Sequence, residues 1–235
     1  MSDRSFTGKV LPLVAAATML LAIGMIFFYL PEMKGESGEV LDSSFRIFYF
    51  HMPIAITSYL AFTAVFVSSI LYLRSSEYKW DIVSRSAAEV GVIFAFLVLV
   101  TGSVWAKATW GWYWIWEPRL TTSLALFLVY VAYLLLRQAV DAPDKRARLA
   151  SVFGILGFVS VPLSFLSIRL WRSAHPLMFG EASYGSGGGL EGTSLQLTLL
   201  VNIIAFILVF AAITSYKIGN EKLEEEANAL RSSLR

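Results

Sequence analysis

The sequence contains no cysteine among its 235 residues. That excludes thiol–disulfide exchange, an iron–sulfur cluster held by thiolates, and a thioether bond to a cofactor. Charge is also scarce: 15% of residues are Asp, Glu, Lys or Arg, against about 25% in an ordinary soluble domain. The 19 Lys and Arg are scattered, and the formal net charge is +2, so no basic run offers a nucleic-acid patch. The glycine-rich stretch Gly185 to Gly189 lacks the Gly-Lys-Ser/Thr ending of a phosphate-binding loop, which excludes ATPase chemistry of that type. It reads as a flexible loop. No pair of carboxylates suggests acid–base catalysis, and no internal repeat or second domain is evident. Histidine occurs twice in the whole chain, at His51 and His175.

What is abundant is apolar: 57% of the residues. A soluble fold of this length has too little polar surface here to cover its core, so lipid must be part of the solvent. A spanning helix needs about 20 mostly apolar residues to cross about 30 Å of hydrocarbon. The chain offers six such stretches, at about 10–30, 52–73, 88–105, 120–136, 149–168 and 195–215. The expected fold is therefore all-α, a single six-span integral membrane domain over residues 1–235 with a tryptophan-rich segment at one interface. The first span follows Arg4 and Lys9 as a signal peptide would. Its apolar run is too long for one, and the PEMKG that follows is no cleavage site, so it reads as a retained anchor. Pro53 is expected to start the second spanning helix, with Phe45 to Phe50 lying along the interface before it. Pro162 is expected to kink the fifth.

Six spans place both termini on one side. With them lie loops 74–89 and 137–148, and together these carry 13 of the 19 Lys and Arg. The excess of positive charge puts that side, and both termini, in the cytoplasm. The opposite, outer side then collects both histidines and Trp105, Trp110, Trp112, Trp114, Trp116 and Trp171. Trp80 alone lies inside. Aromatic belts ordinarily decorate both interfaces, so the asymmetry asks for a second cause.

The densest feature is the segment Trp110-Gly-Trp-Tyr-Trp-Ile-Trp-Glu-Pro-Arg-Leu-Thr-Thr122. As a helix lying flat at the interface, it would show Trp110, Tyr113 and Trp114 on one face, with Trp112 and Trp116 on the other. Indole rings stack on flat apolar ligands. An interfacial anchor is the plain alternative. Neutral imidazole is a common iron ligand, and haem iron often takes axial His. Met52 and Met178 could replace one of the two, or simply pack. Arg46, Lys107, Arg119 and Arg172 share the outer face and suit carboxylates such as haem propionates, or they snorkel to the interface as flanking cations do. Glu117 offsets Arg119 or bonds the loop backbone.

Trp110-Gly111-x-x-Trp114-x-Trp116-Glu117-x-Arg119-Leu120-Thr121 resembles the tryptophan-rich "WWD" signature of membrane proteins that handle haem in cytochrome c maturation. Phe45-Arg46-Ile47-x-Tyr49-x-His51-x-Pro53 and Trp171-Arg172-x-x-His175-Pro176 resemble the two histidine segments of the haem exporter protein C (CcmC) family. The likeness runs from the first span to the last. One departure is Glu117, where the signature has Asp. It keeps the charge and adds a methylene.

The resemblance implies a haem handler and not an enzyme. It implies haem b, held transiently and without a covalent bond at the outer face of a bacterial-type inner membrane. His51 and His175 would be the axial ligands. Trp110, Trp114 and Trp116 would form the platform, with Gly111, Glu117, Arg119, Thr121 and Arg172 in support. The implied partners are a membrane-anchored haem chaperone, the ATPase and permease subunits of an ATP-binding-cassette (ABC) transporter, and a small single-span accessory subunit. Two other readings remain open. One is a cytochrome c synthase-like haem lyase component, which the small size and two histidines disfavour. The other is a permease for a flat aromatic substrate, whose site would lie near the midplane.

Overall fold

A computed structural model describes residues 6–32, 43–171 and 193–233. Among these residues every regular element is helical, and six helices are long and apolar enough to cross a membrane. The chain is a multi-pass membrane protein.

Helix α1 (Leu11–Gly24) starts with Pro12 in its first turn, where a missing N–H costs nothing, and single π-helical turns flank it at Phe6–Val10 and Met25–Tyr29. The carbonyls of Ile26 and Phe27, left over at the end of this helix, accept from Arg46 Nη1 at 2.7 and 3.2 Å. A 3-10 turn (Ser43–Ile47) leads into α2 (Phe48–Ser75). This corrects one expectation. Pro53 does not begin the helix but sits inside it, because Ser43 to Ile47 already wind the chain before Phe48. The turn after α2 is tight. Ser76 adopts left-handed backbone, φ 55°, and its N–H reaches Tyr72 O at 2.8 Å. Helix α3 (Tyr78–Trp110) then runs back alongside.

Helix α4 covers Pro118–Ala139, α5 covers Pro143–Gly157 and α6 covers Ser160–Leu170. The break between α5 and α6 is the kink expected at Pro162. Proline has no N–H to offer Phe158 O, and Val161 N takes that carbonyl instead at 2.9 Å. Helix α7 (Thr193–Ser233) has 41 residues. At 1.5 Å per residue it spans about 60 Å, twice the hydrocarbon thickness, so its second half extends beyond the membrane.

Helices α2 and α3 form the centre. Helices α5 and α7 pack on α2, α4 packs on α3, α5 and α6, and α1 leans mainly on α7. Small residues let the central pair approach. A Cβ at Gly91 would fall 2.9 Å from both Ala61 Cβ and Phe62 Cε1, the close-approach device of membrane helices. Behind that contact Phe62 stacks on Tyr130 of α4, centroids 3.6 Å apart and planes 12° from parallel. Large apolar side chains point outward as well, Phe28 being 92% exposed and Leu20 72%, as expected where lipid covers the surface.

The two ends of the bundle differ. At one, Asp81 of α3 and Arg137 of α4 form a buried, two-pronged ion pair, with Nη1–Oδ1 2.6 Å and Nη2–Oδ2 2.7 Å. Arg137 also donates to Tyr133 OH, which bonds Ser84 Oγ at 2.8 Å. Nearby Arg85 bridges Glu89 and Glu221, and Lys217 meets Glu89 at 2.5 Å, which ties α3 to α7. The other end, where α2 and α4 begin and α3 and α6 finish, holds the tryptophans other than Trp80.

Candidate functional site

The histidine arrives first. His51 lies in the opening turn of α2 and is only 8% exposed. Its Nδ1 stands 2.9 Å from Thr101 Oγ1 on α3. One residue on, Gly102 supplies a flat seat, since a Cβ there would come within 3.1 Å of the imidazole Cε1. One turn further along α3, the buried Trp105 faces the imidazole at 6.4 Å between ring centroids. Its other neighbours are Phe45, edge-on at 6.1 Å, and Trp110 at 6.1 Å.

The aromatic segment is not the flat helix that spacing suggests. Helix α3 ends because Gly111 takes φ +79°, a left-handed conformation favoured by glycine, and its N–H caps Lys107 O at 3.1 Å. Lys107 Nζ closes the turn by donating to Gly111 O at 2.7 Å. Helix α4 then starts at Pro118, with Glu117 as its N-cap: the carboxylate Oε1 accepts from Leu120 N at 3.3 Å. A glycine stop and a proline start leave residues 112–116 as a non-helical strap. Its side chains sort differently from a helix. Trp110 and Trp114 turn in, whereas Trp112, Tyr113 and Trp116 are 70%, 62% and 77% exposed. Trp116 still meets Trp114 edge-on at 5.5 Å.

Arg119, in the first turn of α4, donates from Nη1 to Ser164 O of α6 at 2.6 Å, and its guanidinium lies 5.9 Å over the Tyr59 ring. Ser164 Oγ is shared by Tyr59 OH at 3.1 Å and Ser123 Oγ at 3.2 Å. The arginine therefore hangs from a polar knot joining α2, α4 and α6, with its head at the cleft.

Together His51, Gly102, Trp105, Trp110, Trp114 and Arg119 line one cleft, with Val98, Leu99, Ser103, Leu120 and Ser123. The cleft is open on one side and narrow, with about 30 Å³ of space, room for a water or two. Trp114 Nε1 is buried in it with no hydrogen-bond partner among the described residues. The donor set is thus an imidazole, an indole N–H and a guanidinium among aromatic walls whose rings meet tilted or edge-on. That chemistry fits a flat apolar ring carrying a metal and carboxylates. In this conformation the open space is smaller than such a ring.

Of the residues expected at this site, His51, Trp110, Trp114 and Arg119 come together. Gly111 and Glu117 act as the two caps that shape the strap, and Trp116 sits on its outer side. Thr121 is exposed in the first turn of α4, its N–H bonding Glu117 O at 3.0 Å. His175, Arg172 and Met178 lie outside the described residues. Met52 packs on the apolar cluster of Ile26, Leu30, Phe48, Tyr49 and Leu199, so it serves the core. Arg46 serves the end of α1. Thr101, Gly102 and Ser164 were missed. The first two had a signal: Thr101-Gly102-Ser103 interrupts an apolar run on the face one turn before Trp105.

Comparison with known proteins covers the same length of chain. The family model described as Heme exporter protein C matches residues 2–233. The heme exporter protein C of Bradyrhizobium diazoefficiens is 33% identical over 228 residues, 97% of this chain and 84% of that protein. A putative cytochrome c biosynthesis ccmC-like mitochondrial protein of Marchantia polymorpha is 31% identical over 184 residues, 78% of this chain and 73% of its own. The heme exporter protein C of Escherichia coli strain K12 is 28% identical over 209 residues, covering 88% and 81%.

Proposed function

The chain belongs to the haem exporter protein C family, and from that premise we propose that it holds haem b, without a covalent bond, in the tryptophan-lined cleft and delivers it to a membrane-anchored haem chaperone. It is a haem-handling membrane component of cytochrome c maturation and not an enzyme.

The observation that carries the reading is the pairing of His51 with an aromatic cleft. One of two histidines in the chain is buried there, its ring fixed between Thr101, Gly102 and Trp105. Haem supplies an iron that takes axial imidazole. In this reading His51 gives one ligand and His175 the second. Trp110 and Trp114 face the ring plane, with Trp116 on the outer side of the strap. Trp114 Nε1 and Arg119 meet its polar edge, and Arg172 is the second cation for the propionates. Gly111 and Glu117 fix the ends of the strap, and Thr121 supports the start of α4.

The charge distribution supports a cytoplasmic placement for the Asp81–Arg137 end, hence an outward cleft; a bacterial-type inner membrane follows from the family resemblance. The partners follow from the family resemblance: an ABC transporter ATPase and permease, a small single-span subunit and the chaperone.

Two linked measurements test this. Protein purified after expression with ample haem should show a Soret band with low-spin bis-His features. Mixing it with the soluble, haem-free domain of the chaperone should move that band to the chaperone fraction. Haem that stays with the membrane protein under all nucleotide and partner conditions would contradict delivery.

A further inference from the structure

Thr101 stands beside His51 in a way that constrains which ring nitrogen carries the proton. A threonine hydroxyl has one hydrogen to donate and lone pairs to accept with. Here Thr101 Oγ1 lies 2.7 Å from Leu97 O, four residues back on the same helix, and 3.4 Å from Val98 O. That is the usual back-bond of a helical threonine, and it uses the single hydrogen. Toward His51 the oxygen is left as an acceptor, 2.9 Å from Nδ1. The hydrogen bond then requires N–H at Nδ1. In a neutral imidazole the other nitrogen, Nε2, holds the lone pair.

We propose that Thr101 is a positioning residue for haem capture: its hydroxyl, held by Leu97 O, keeps His51 in the Nδ1–H form and so presents Nε2 to the iron, while Gly102 keeps the ring plane where Thr101 can reach it. This rests on His51 being an axial ligand and names what orients it. Metal-bound histidines commonly donate their second ring N–H to an oxygen that fixes tautomer and orientation, and loss of that partner typically weakens metal binding 10–100-fold. Thr101 touches the imidazole and not the haem, so its effect is exerted through His51. Gly102 contributes by what it lacks. Its missing Cβ would sit 3.1 Å from Cε1 and 3.7 Å from Nδ1, tight enough to push the ring off Thr101.

The tautomer can be read without haem. The chain has two histidines, so full-length His175→Ala protein, labelled with 15N-histidine and purified on a histidine-free tag, carries His51 as its one imidazole. Nitrogen NMR in lipid nanodiscs should show the protonated nitrogen at Nδ1 and the lone-pair nitrogen at Nε2. Thr101→Val keeps the shape and removes the acceptor. In that variant the proton should redistribute to Nε2, and haem retention in the His175-containing protein should fall 10–100-fold. Thr101→Ser, which restores the oxygen, should return both readings to the wild-type values. A proton on Nε2 before any substitution overturns the proposal, as does wild-type haem retention in Thr101→Val. The His51→Ala spectrum separates this from the wider reading: no change there removes His51 as a ligand, whatever its tautomer.

Discussion

Replacing Arg137 by methionine tests whether the two ends of the bundle are energetically separate. Arg137 and Asp81 are 7% and 1% exposed and make two short, charge-assisted hydrogen bonds. Removing the arginine strands a carboxylate in the packing between α3 and α4, which costs about 3–5 kcal/mol when a buried pair is broken. For a chain of this size each kcal/mol lowers Tm by about 2–4 °C, so a fall of roughly 6–20 °C is expected. Removing both partners together, Asp81→Leu with Arg137→Met, leaves no orphan charge and should recover most of that loss. The assay is thermal unfolding in detergent, followed by tryptophan fluorescence, for both singles and the double. The haem spectrum should not change in any of them. Asp81 and Trp105 are separated by 24 residues of one helix, a rise of about 36 Å. A single-variant cost below about 1 kcal/mol, the value of a surface pair, would refute this account of the ion pair. A lost Soret band in a folded double variant would refute the separation of the ends.

Three further outcomes follow from local geometry. Gly91→Leu drives a side chain into Ala61 and Phe62 and should lower stability by about 1–3 kcal/mol, visible as early unfolding in the same assay. Gly111→Ala meets no atom within 4 Å, so its cost is purely that of φ +79°, about 1 kcal/mol, and Gly111→Asn should cost less because asparagine tolerates that backbone; equal stability of wild type and Gly111→Ala would contradict the left-handed turn. Glu117→Ala removes the cap of α4 and should cost about 0.5–2 kcal/mol, with weaker haem retention as the strap loses its anchored end, while Glu117→Asp should retain most of both.

The helical membrane fold was legible because lipid imposes a coarse rule: a span needs length and apolarity, and both can be counted. Details that depend on backbone punctuation were less so. Gly111 and Pro118 mark a helix stop and a helix start, yet helical spacing puts Tyr113 on one face with Trp114, whereas in the non-helical strap Tyr113 is exposed. Pro53 reads as a helix start until the winding of Ser43 to Ile47 is seen. Pro162 was readable, since a missing N–H always leaves a carbonyl to settle. The chemistry of the site divides the same way. Residue types rare in the chain, His and Trp, announced His51, Trp110 and Trp114. The Thr101 contact joins residues 50 apart in sequence and exists only because α2 and α3 pack at Gly91 and Gly102. No local pattern encodes such a pair.

The most direct test of the central claim is the absorption spectrum of His51→Ala, oxidised and reduced, beside the wild-type protein. Ligation in the tryptophan-lined cleft predicts that the low-spin Soret pattern of the wild type is lost or shifted in the variant, and that added imidazole, small enough to enter the space left by the side chain, restores it. An identical spectrum in His51→Ala would mean that the iron is held elsewhere and that the cleft serves another ligand.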